Sequence, residues 1–455
     1  MKNLKGIFLL VLAMFLVLTC SVISMAQEDV EVIKITAWTV GPDNPSIWRD
    51  KNLIEAANRL NAIYEEAGIN KRIEIETDFW TQQKTKYWQR ILLAFQSNDA
   101  PDIIVNGHEK IGQYASAGYL LSLDEYKEKY KNLLGDIYET LWDAGKFKGH
   151  YYGVPQDTEA RMMYFRKDML RKLGYSDSKI EELKKNVANG TFTLTDMAEL
   201  AKKVKDAGLV DWGLYHRPTN GVDWFQWYIS FGGVLQDQET GKLVFDKAIY
   251  KKFFQYYHDI VYKWEITPSS MTDYGWSSIH KGFLEGKAFL WQGGSWNYAE
   301  WLSDYGLTPT EGEKNIDFFL MPVGDKNGKP NTLSHPLMYM INKNSKHPEI
   351  AFQLVALASA PDLNLRHALK SGHLAIRKGE AEIQVYREDK FTANATKLLD
   401  YTMTMPNHSM WPKYQDVIYQ TIKGVEGGQL SADKAVIFAA TQLQRQLKDE
   451  VIIKD

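Results

Sequence analysis

The chain has 455 residues, with 54 basic and 57 acidic side chains and a net charge of −3. This length exceeds what one hydrophobic core normally fills, so two lobes are expected. The charges are spread along the chain without a basic block, which argues against nucleic acid as a partner.

The N-terminal residues have the pattern of an export signal. Lys2 and Lys5 precede an apolar run over residues 7–22, and Ser24-Met25-Ala26 provides a small-x-small cleavage site. Residues 1–26 are therefore predicted to be a signal peptide, which places the mature chain in the periplasm or outside the cell. No later stretch has eighteen uncharged apolar residues, so no other membrane span is expected.

The only cysteine, Cys20, lies within this signal. It leaves open a lipid anchor at the membrane surface, although Thr19 departs from the small residue usual before a lipoprotein cysteine. A mature chain that starts at Gln27 has no cysteine, which excludes disulfides and thiolate zinc sites.

Residues 32–105 predict a parallel sheet. Strands over 32–40, 72–79 and 102–105 alternate with helices over 53–67 and 88–96. This order predicts an α/β fold with right-handed crossovers, in which ligands meet the carboxyl ends of the strands. The candidate binding residues at or just beyond those ends are Trp38, Asp43, Trp80, Asn106, His108 and Glu109.

Several later stretches carry recognisable motifs. They are Ala100–Val105 followed by Tyr114–Leu123, Tyr152-Gly153-Val154-Pro155 followed by residues 163–174, and Phe283–Asn297. Together they resemble the A-P-D-V-V, Y-A-x-A-G-x-L-x-x-L, Y-G-V-P and F-x-x-G-K-A-A-M-x-x-x-G-x-W elements of the extracellular solute-binding proteins that deliver sugars to ABC importers. The chain departs from that family at Arg166, at Ser334-His335-Pro336 and at Ala375.

The resemblance implies a two-lobe periplasmic-binding-protein fold, type II-like, with hinge strands and a ligand cleft between the lobes. Lobe 1 is expected to contain residues 27–150 and 292–343, and lobe 2 residues 151–291 and 344–455. Crossings are expected at Tyr152–Pro155, at Ala288–Trp291 and near Asn344. The implied function is capture of a carbohydrate, with an oligosaccharide as the expected form, and its delivery to ABC permease subunits in the membrane. A monomer without a cofactor or metal is expected.

Tryptophans are the expected stacking surfaces for a sugar, because an indole offers a flat apolar face and a hydrogen-bonding edge. The chain has 14 of them, and most such rings are expected in a core. The resemblance places Trp291 on a hinge strand and Trp296 in the cleft, and the expected stacking set is Trp38, Trp80, Trp227, Trp291 and Trp296. For Trp227, on an aromatic helix, a place in the core and a place in the cleft both remain open.

Polar residues at predicted strand exits and hinges are the expected partners of sugar hydroxyls. Besides those already named, they are Asp157, Glu159, Arg161, Gln292, Gly294, Ser295, His335 and Arg377. A solvated loop or an ion pair within one lobe is the alternative for each of them. Arg161 also leaves open an anionic ligand such as a uronate or a glycerophosphodiester.

Enzyme signatures are weak in this chain. Gly293–Asn297 lacks the final glycine of a nucleophile elbow, and His108-Glu109 lacks the second histidine of a zinc-protease helix. His108 and His335 have no close third ligand in the sequence for a metal. Asp157 and Glu159 are the best candidates for a glycosidase pair, which keeps a secreted glycan-processing enzyme as the second hypothesis. A sensor or adhesin without a transport role is the third.

Overall fold

A computed structural model describes residues 30–41, 43–81, 84–325 and 328–455, with backbone only for residues 84 and 85. The predicted signal peptide, its cleavage site and Cys20 lie outside these ranges, so their assignment stays a prediction.

The strands are short apart from the first two. They are β1 (Glu31–Gly41), β2 (Lys71–Thr81), β3 (Ile103–Gly107), β4 (Lys146–Phe147), β5 (His150–Tyr151), β6 (Val154–Pro155), β7 (Arg161–Arg166), β8 (Trp212–Tyr215), β9 (Leu243–Asp246), β10 (Ala288–Gly294), β11 (Ile316–Phe319), β12 (Thr332–Leu333), β13 (Leu337–Ile341), β14 (Thr402–Met403) and β15 (Val451–Lys454).

Helices cover the faces of the sheets. They are α1 (Trp48–Glu66), α2 (Lys84–Ser97), α3 (Ile111–Ser116), α4 (Asp124–Lys129), α5 (Lys131–Leu134), α6 (Glu139–Ala144), α7 (Lys167–Lys172), α8 (Asp177–Ala188), α9 (Leu194–Asp206), α10 (Trp224–Ser230), α11 (Lys247–Tyr262), α12 (Trp276–Leu284), α13 (Trp296–Asp304), α14 (Pro309–Asn315), α15 (Pro348–Ala358), α16 (Pro361–Ser371), α17 (Lys378–Ala381), α18 (Gln384–Glu388), α19 (Lys390–Thr396), α20 (Trp411–Glu426) and α21 (Ala432–Leu447). Short 3₁₀ turns include Asn44–Ile47 and His108–Lys110.

The first lobe is built on a five-stranded sheet in the order β2-β1-β3-β13-β6. β1 pairs in parallel with β2 along its whole length and with β3 at Ala37 and Trp38. Alternate residues of β1 are buried, as expected for one face against a core. The predicted β-α-β-α-β order is therefore confirmed, and the ends of β1, β2 and β3 lie at one edge of the sheet.

The second lobe is built on a four-stranded sheet in the order β11-β7-β10-β8. All seven residues of β10 are buried, because β10 pairs with β7 on one side and β8 on the other. The largest hydrophobic cluster surrounds this sheet and includes side chains of α9, α11, α20 and α21, whereas α1 and α15 contribute to the core of the first sheet.

These pairings correct the predicted lobe boundaries. Ala288–Trp291 is an internal part of the second sheet rather than a crossing, since its neighbours on both sides belong to that sheet. β11 also lies in the second sheet, although residues 292–343 were expected in lobe 1. α15 packs on α1 in the first lobe, although residues 344–455 were expected in lobe 2.

The chain passes between the two sheets at other points. It leaves the first sheet after Pro155, the last residue of β6, and enters the second at Arg161. It returns through residues 334–336 to β13. Further on, Leu374 packs with the second lobe while Ile376 packs with the first, so the loop after α16 also lies at the boundary. Among the helices in the described ranges, none combines the length and apolar character needed to cross a bilayer.

Candidate functional site at the boundary between the lobes

Asp157 is the centre of the polar contacts on the segment that leaves the first lobe. It is fully buried and forms an ion pair with Arg49 of α1, whose Nε lies 3.1 Å from Asp157 Oδ2. The other carboxylate oxygen accepts the backbone N–H of Leu337 at 3.0 Å. Burial raises the pKa of Asp157, but the Arg49 guanidinium and the hydrogen bond from His367 outweigh burial, so the pKa lies well below its ordinary value. The carboxylate is ionised and held by both strand β13 and helix α1.

Two histidines, His373 and His367, complete this network. The tautomer of His373 follows from its hydrogen-bond partners. His373 Nε2 lies 2.8 Å from Arg49 Nη2, and a guanidinium only donates, so Nε2 is the acceptor. His373 Nδ1 then carries the proton and donates to Ser371 Oγ at 2.9 Å. His367 Nε2 lies 3.2 Å from Asp157 Oδ2, and burial lowers the pKa of His367. The network joins α1, α16 and the crossing segment.

Arg161 is held between two carboxylates where the chain enters the second sheet. Its guanidinium donates to Glu159 Oε1 at 2.6 Å and forms a second ion pair with Asp223. Its Nε is buried and has no hydrogen-bond partner in the described part of the chain. The guanidinium carbon lies 4.8 Å from the centroid of the Trp296 ring, so the cation sits over an indole face.

Trp296 is the predicted stacking residue that lies at the boundary. Its ring is 9% exposed and stacks on His373 at a centroid distance of 5.9 Å and an interplanar angle of 16°. Ser295, just before it, donates its backbone N–H to Ala160 O of the crossing segment at 2.8 Å. The Ser295 hydroxyl is buried without a partner among the described residues. An aromatic ring and polar side chains therefore meet at this point.

The end of β3 brings together a second set of predicted residues. Glu109 Oε2 lies 2.5 Å from His335 Nε2, and Lys110 Nζ lies 3.7 Å from Glu109 Oε1. Burial raises the pKa of Glu109, but His335, Lys110 and His108 outweigh burial and hold the pKa well below its usual value. Burial, aided by His335, lowers the pKa of His108 to about 4, so its ring is neutral at neutral pH.

A crevice of about 280 Å³ lies between the two lobes. The residues that line it in the first lobe lie at or just after the ends of β1 and β2. Those in the second lobe lie on α12 and α13 and directly after α13. These residues are Asp43, Asn44, Thr81, Ser277, Lys281, Glu300, Asp304 and Tyr305. Asn44 Nδ2 donates to Asp304 Oδ2 at 3.2 Å across it. Burial raises the pKa of Asp43 to about 6 and that of Glu300 to about 8.

Asp43 lines the crevice and also caps the 3₁₀ turn that follows it in the chain. One of its oxygens caps the 3₁₀ turn Asn44–Ile47 by accepting the Ser46 backbone N–H at 2.9 Å. The other oxygen is buried and has no partner in the described ranges. Of the predicted binding residues, Asp43 is the one that lines the crevice.

Several predicted binding residues have other positions. Trp291 is fully buried and packs with Tyr164, His280 and Trp301 in the second lobe. Trp227 is also fully buried, and its Nε1 donates to Gln292 Oε1 at 2.9 Å. Both rings lie in the core, which corrects their assignment as sugar platforms. The core interpretation of the aromatic helix is the one that the structure supports.

The remaining polar candidates are satisfied within the fold. Gln292 donates to Asp223 O and Gln226, and Gly294 O accepts the Tyr164 hydroxyl. Arg377 forms an ion pair with Glu380 and donates to Leu134 O. The placement of Gln292, Gly294 and Arg377 therefore corrects their assignment as sugar contacts.

Three further candidates lie at the ends of the first three strands. Asn106 bonds with Trp88 Nε1 and the Tyr114 hydroxyl, so its amide is engaged within the first lobe. Trp38 and Trp80 are half-buried, and the Arg90 guanidinium lies 3.5 Å and 5.2 Å from their rings. Arg90 covers part of each indole in this conformation.

Sequence reasoning missed the groups that complete the boundary. They are Arg49, Asp223, Glu300, His367 and His373. Arg49 and His367 lie inside amphipathic helices, where a polar residue normally faces solvent, so helical periodicity hides their role. A local signal existed for His373, because it directly follows the glycine that ends α16.

Two lobes joined by several crossings, with an aromatic ring and buried charges at their boundary, define a two-lobe ligand-binding protein. A profile described as bacterial extracellular solute-binding protein matches residues 50–364. The chain therefore belongs to this family, as its motifs predicted.

The relatives agree with this assignment at low identity. Maltodextrin-binding protein MdxE of Bacillus subtilis is 23% identical over 391 residues, which cover 81% of this chain and 84% of that protein. The maltotriose-binding protein of Pyrococcus abyssi is 25% identical over 231 residues, so the match spans 50% of this chain and only 46% of that protein.

Solved structures confirm the two-lobe fold. Maltose-bound MalE3 of T. maritima superposes with a TM-score of 0.74 at 22% identity and covers 91% of this chain and 99% of its own. The GacH receptor of Streptomyces glaucescens has a TM-score of 0.73 at 16% identity, with 92% and 99% covered.

Proposed function

We propose that this chain is the extracytoplasmic binding protein of an ABC importer and that it captures a carbohydrate, with an oligosaccharide as the favoured form, between its lobes. The named relatives bind maltodextrin and maltotriose. The lobes then close by hinge bending around residues 156–160 and 334–336, and the closed form delivers the ligand to permease subunits. The protein acts as a monomer.

The observation that carries the proposal is a set of unpartnered polar atoms at the lobe boundary. Asp43 Oδ2, Arg161 Nε and Ser295 Oγ are buried and have no hydrogen-bond partner among the residues that the structure describes. Burying such atoms unpaired costs about 1–3 kcal/mol each. Sugar hydroxyls both donate and accept, so they can satisfy a carboxylate, a guanidinium or a hydroxyl. Trp296 lies beside two of these groups, since it follows Ser295 in the chain and its ring is 4.8 Å from the Arg161 guanidinium carbon.

An anionic ligand is a weaker candidate. Arg161, the cation that suggested a uronate or glycerophosphodiester, already pairs with the carboxylates of Glu159 and Asp223. Asp223 also pairs with Arg217, so the two guanidinium groups are balanced by the two carboxylates. A third anion would find no unpaired cation among these groups, whereas a neutral sugar needs none.

A glycan-processing enzyme is also weaker. Retaining and inverting glycosidases need one carboxylic acid with a raised pKa beside a second carboxylate. Burial is outweighed at Asp157 by the Arg49 guanidinium and the hydrogen bond from His367, which lower its pKa instead. Asp157 therefore lacks the proton that a general acid must donate.

Calorimetric titration of the pure protein with maltose, maltotriose and glucuronate tests the proposal. Saturable binding of a neutral oligosaccharide supports it, and the melting temperature should rise with ligand concentration because only the folded state binds. If only glucuronate binds, the proposed ligand changes from a neutral sugar to an anionic one. New reducing ends after incubation with maltodextrin would identify an enzyme instead.

A further inference from the structure

His108, Glu109 and His335 form a compact group of metal-ligating side chains. One ligand atom from each residue lies within 4.8 Å of those of the other two, and all three side chains are buried. Glu109 and His108 come from the turn after β3, and His335 comes from the crossing that precedes β13. The sequence analysis found no third ligand for His108 and His335. In the structure Glu109, the direct neighbour of His108, takes that position.

The hydrogen bonds of His108 leave one ring nitrogen as a buried lone pair. His108 Nε2 lies 3.1 Å from Met405 O, and a carbonyl only accepts, so Nε2 carries the proton of the neutral ring. His108 Nδ1 is buried and has no partner within the described ranges. A histidine whose far N–H is fixed by a backbone carbonyl is oriented and tautomerically set as a metal ligand usually is.

The backbone makes room for this group. A Cβ on Gly107, the last residue of β3, would collide with Glu109 Oε2 and His335 Nε2. A glycine here therefore lets a carboxylate and an imidazole meet directly over the main chain. Lys110 Nζ contacts the other oxygen, Glu109 Oε1, at 3.7 Å and lies 3.9 Å from the Trp88 ring. Because Lys110 contacts Oε1, Glu109 Oε2 is left to His335 Nε2.

We propose that His108, Glu109 and His335 bind a divalent transition-metal ion such as Zn²⁺, with a fourth position open. Two histidines and one glutamate are a known zinc ligand set with an open position. Tetrahedral ligands about 2.0–2.1 Å from zinc lie about 3.3 Å apart. The ligand atoms of the three residues lie within 4.8 Å of one another, close to this spacing. His335 Nε2 hydrogen-bonds to Glu109 Oε2 in the absence of metal, so the ion replaces that contact and the imidazole proton is released to solvent on binding. The nearby ammonium of Lys110 makes the site weaker than a structural zinc site.

The second group of this kind in the described chain, Asp157, His367 and His373, does not offer the same chemistry. Its carboxylate is paired with the Arg49 guanidinium, and His373 Nε2 already accepts from that cation. A metal there would have to displace Arg49. The inference is therefore limited to the site after β3.

Equilibrium dialysis of the tag-free mature protein against ZnCl₂, in the absence of sugar, tests the site directly. We expect one saturable Zn²⁺ and no saturable Mg²⁺, because imidazole ligands favour zinc over magnesium. H335Q should weaken Zn²⁺ binding by about a hundredfold or more, since loss of a residue that only hydrogen-bonds to a metal ligand already costs about 10–100-fold. The control H150Q removes a histidine that is 60% exposed and pairs with Asp124, and it should leave binding unchanged.

Replacement by Co²⁺ adds a spectroscopic readout. A site with nitrogen ligands in tetrahedral geometry should give visible absorption in the wild type that E109Q and H335Q lose. Circular dichroism of each variant shows whether it is folded. If H335Q does not fold, E109Q provides the test of the site. No saturable Zn²⁺ in the wild type, or binding that survives both variants, overturns the proposal. Sugar binding is measured separately, so either proposal can fail alone.

Discussion

Arg49 and Asp157 form an ion pair in which both side chains are fully buried. Arg49 belongs to α1 of the first lobe, and Asp157 lies on the segment by which the chain leaves that lobe. The same guanidinium donates to Gln156 Oε1 at 2.8 Å, so it fixes two successive residues of the crossing. Because the pair is also bound to Leu337 at the start of β13, two of the crossings share one anchor.

Replacing Arg49 by methionine should destabilise the protein strongly. The change leaves the Asp157 carboxylate buried without its main partner, which typically costs about 3–5 kcal/mol. Urea unfolding at pH 7 measures it. Arg59→Met is the matched control, because Arg59 pairs with Asp362 on the surface and such pairs contribute about 0–1 kcal/mol. Equal losses in the two variants would show that the buried pair has no special role.

The two tryptophans of the β10–α13 segment should respond differently to truncation. Trp291→Ala removes a ring from the core and should cost about 3–5 kcal/mol of unfolding free energy. Trp296→Ala should instead weaken sugar binding by about 1–3 kcal/mol, comparable to the loss of a ring from other stacking sites. Chemical unfolding and calorimetric titration of both variants separate these effects. An unchanged dissociation constant for Trp296→Ala would remove this residue from the ligand site.

The contrast between these two residues shows what the sequence could and could not predict. The α/β order of residues 31–107 was predictable, because alternation and helical spacing are local properties. The direction in which Trp291 points depends on the pairing of β10 with both β7 and β8, which brings residues more than seventy positions apart together. Short-range patterns contain no information on that pairing.

The buried charges illustrate the same limit. The sequence predicts Asp157, Glu159 and Arg161 as polar residues at a strand exit or hinge, and in the structure all three are buried where the chain passes between the two sheets. Their partners Arg49, Asp223 and His373 come from distant parts of the chain. A carboxylate at a strand exit can be expected from sequence, but its counter-ion is decided by tertiary packing.

The cap of α9 offers a further test. Thr193 is the N-cap and forms a reciprocal capping box with Asp196, whereas the Thr195 side chain has no part in it. Thr193→Ala should therefore reduce stability by about 1 kcal/mol, while Thr195→Ala should change it by a few tenths. Thermal or urea unfolding compares the two variants. A larger loss for Thr195→Ala would contradict the capping box.

The acidic side chains of the interlobe crevice should make stability fall as the pH rises. Burial is the main cause that raises the pKa of Glu300 from 4.5 to about 8 and that of Asp43 from 3.8 to about 6. At these two groups the folded state therefore binds more protons than the unfolded state between about pH 4 and 8, and their contribution to the free energy of unfolding falls across that range. Below it both states are protonated, and above it both are ionised.

Glu300→Gln should remove most of this dependence, since glutamine resembles the protonated acid. We expect the variant to match the wild type within about 1 kcal/mol near pH 5 and to exceed its free energy of unfolding by about 3–4 kcal/mol at pH 8. Urea unfolding at pH 5, 6, 7 and 8 measures the difference. Glu285→Gln is the control, because Lys287 lowers the pKa of this exposed carboxylate and its removal cannot relieve the same penalty. Parallel stability curves for wild type and Glu300→Gln would mean that the crevice hydrates Glu300 well enough to keep its carboxylate ionised. In that case the lobes would close without uptake of a proton by Glu300.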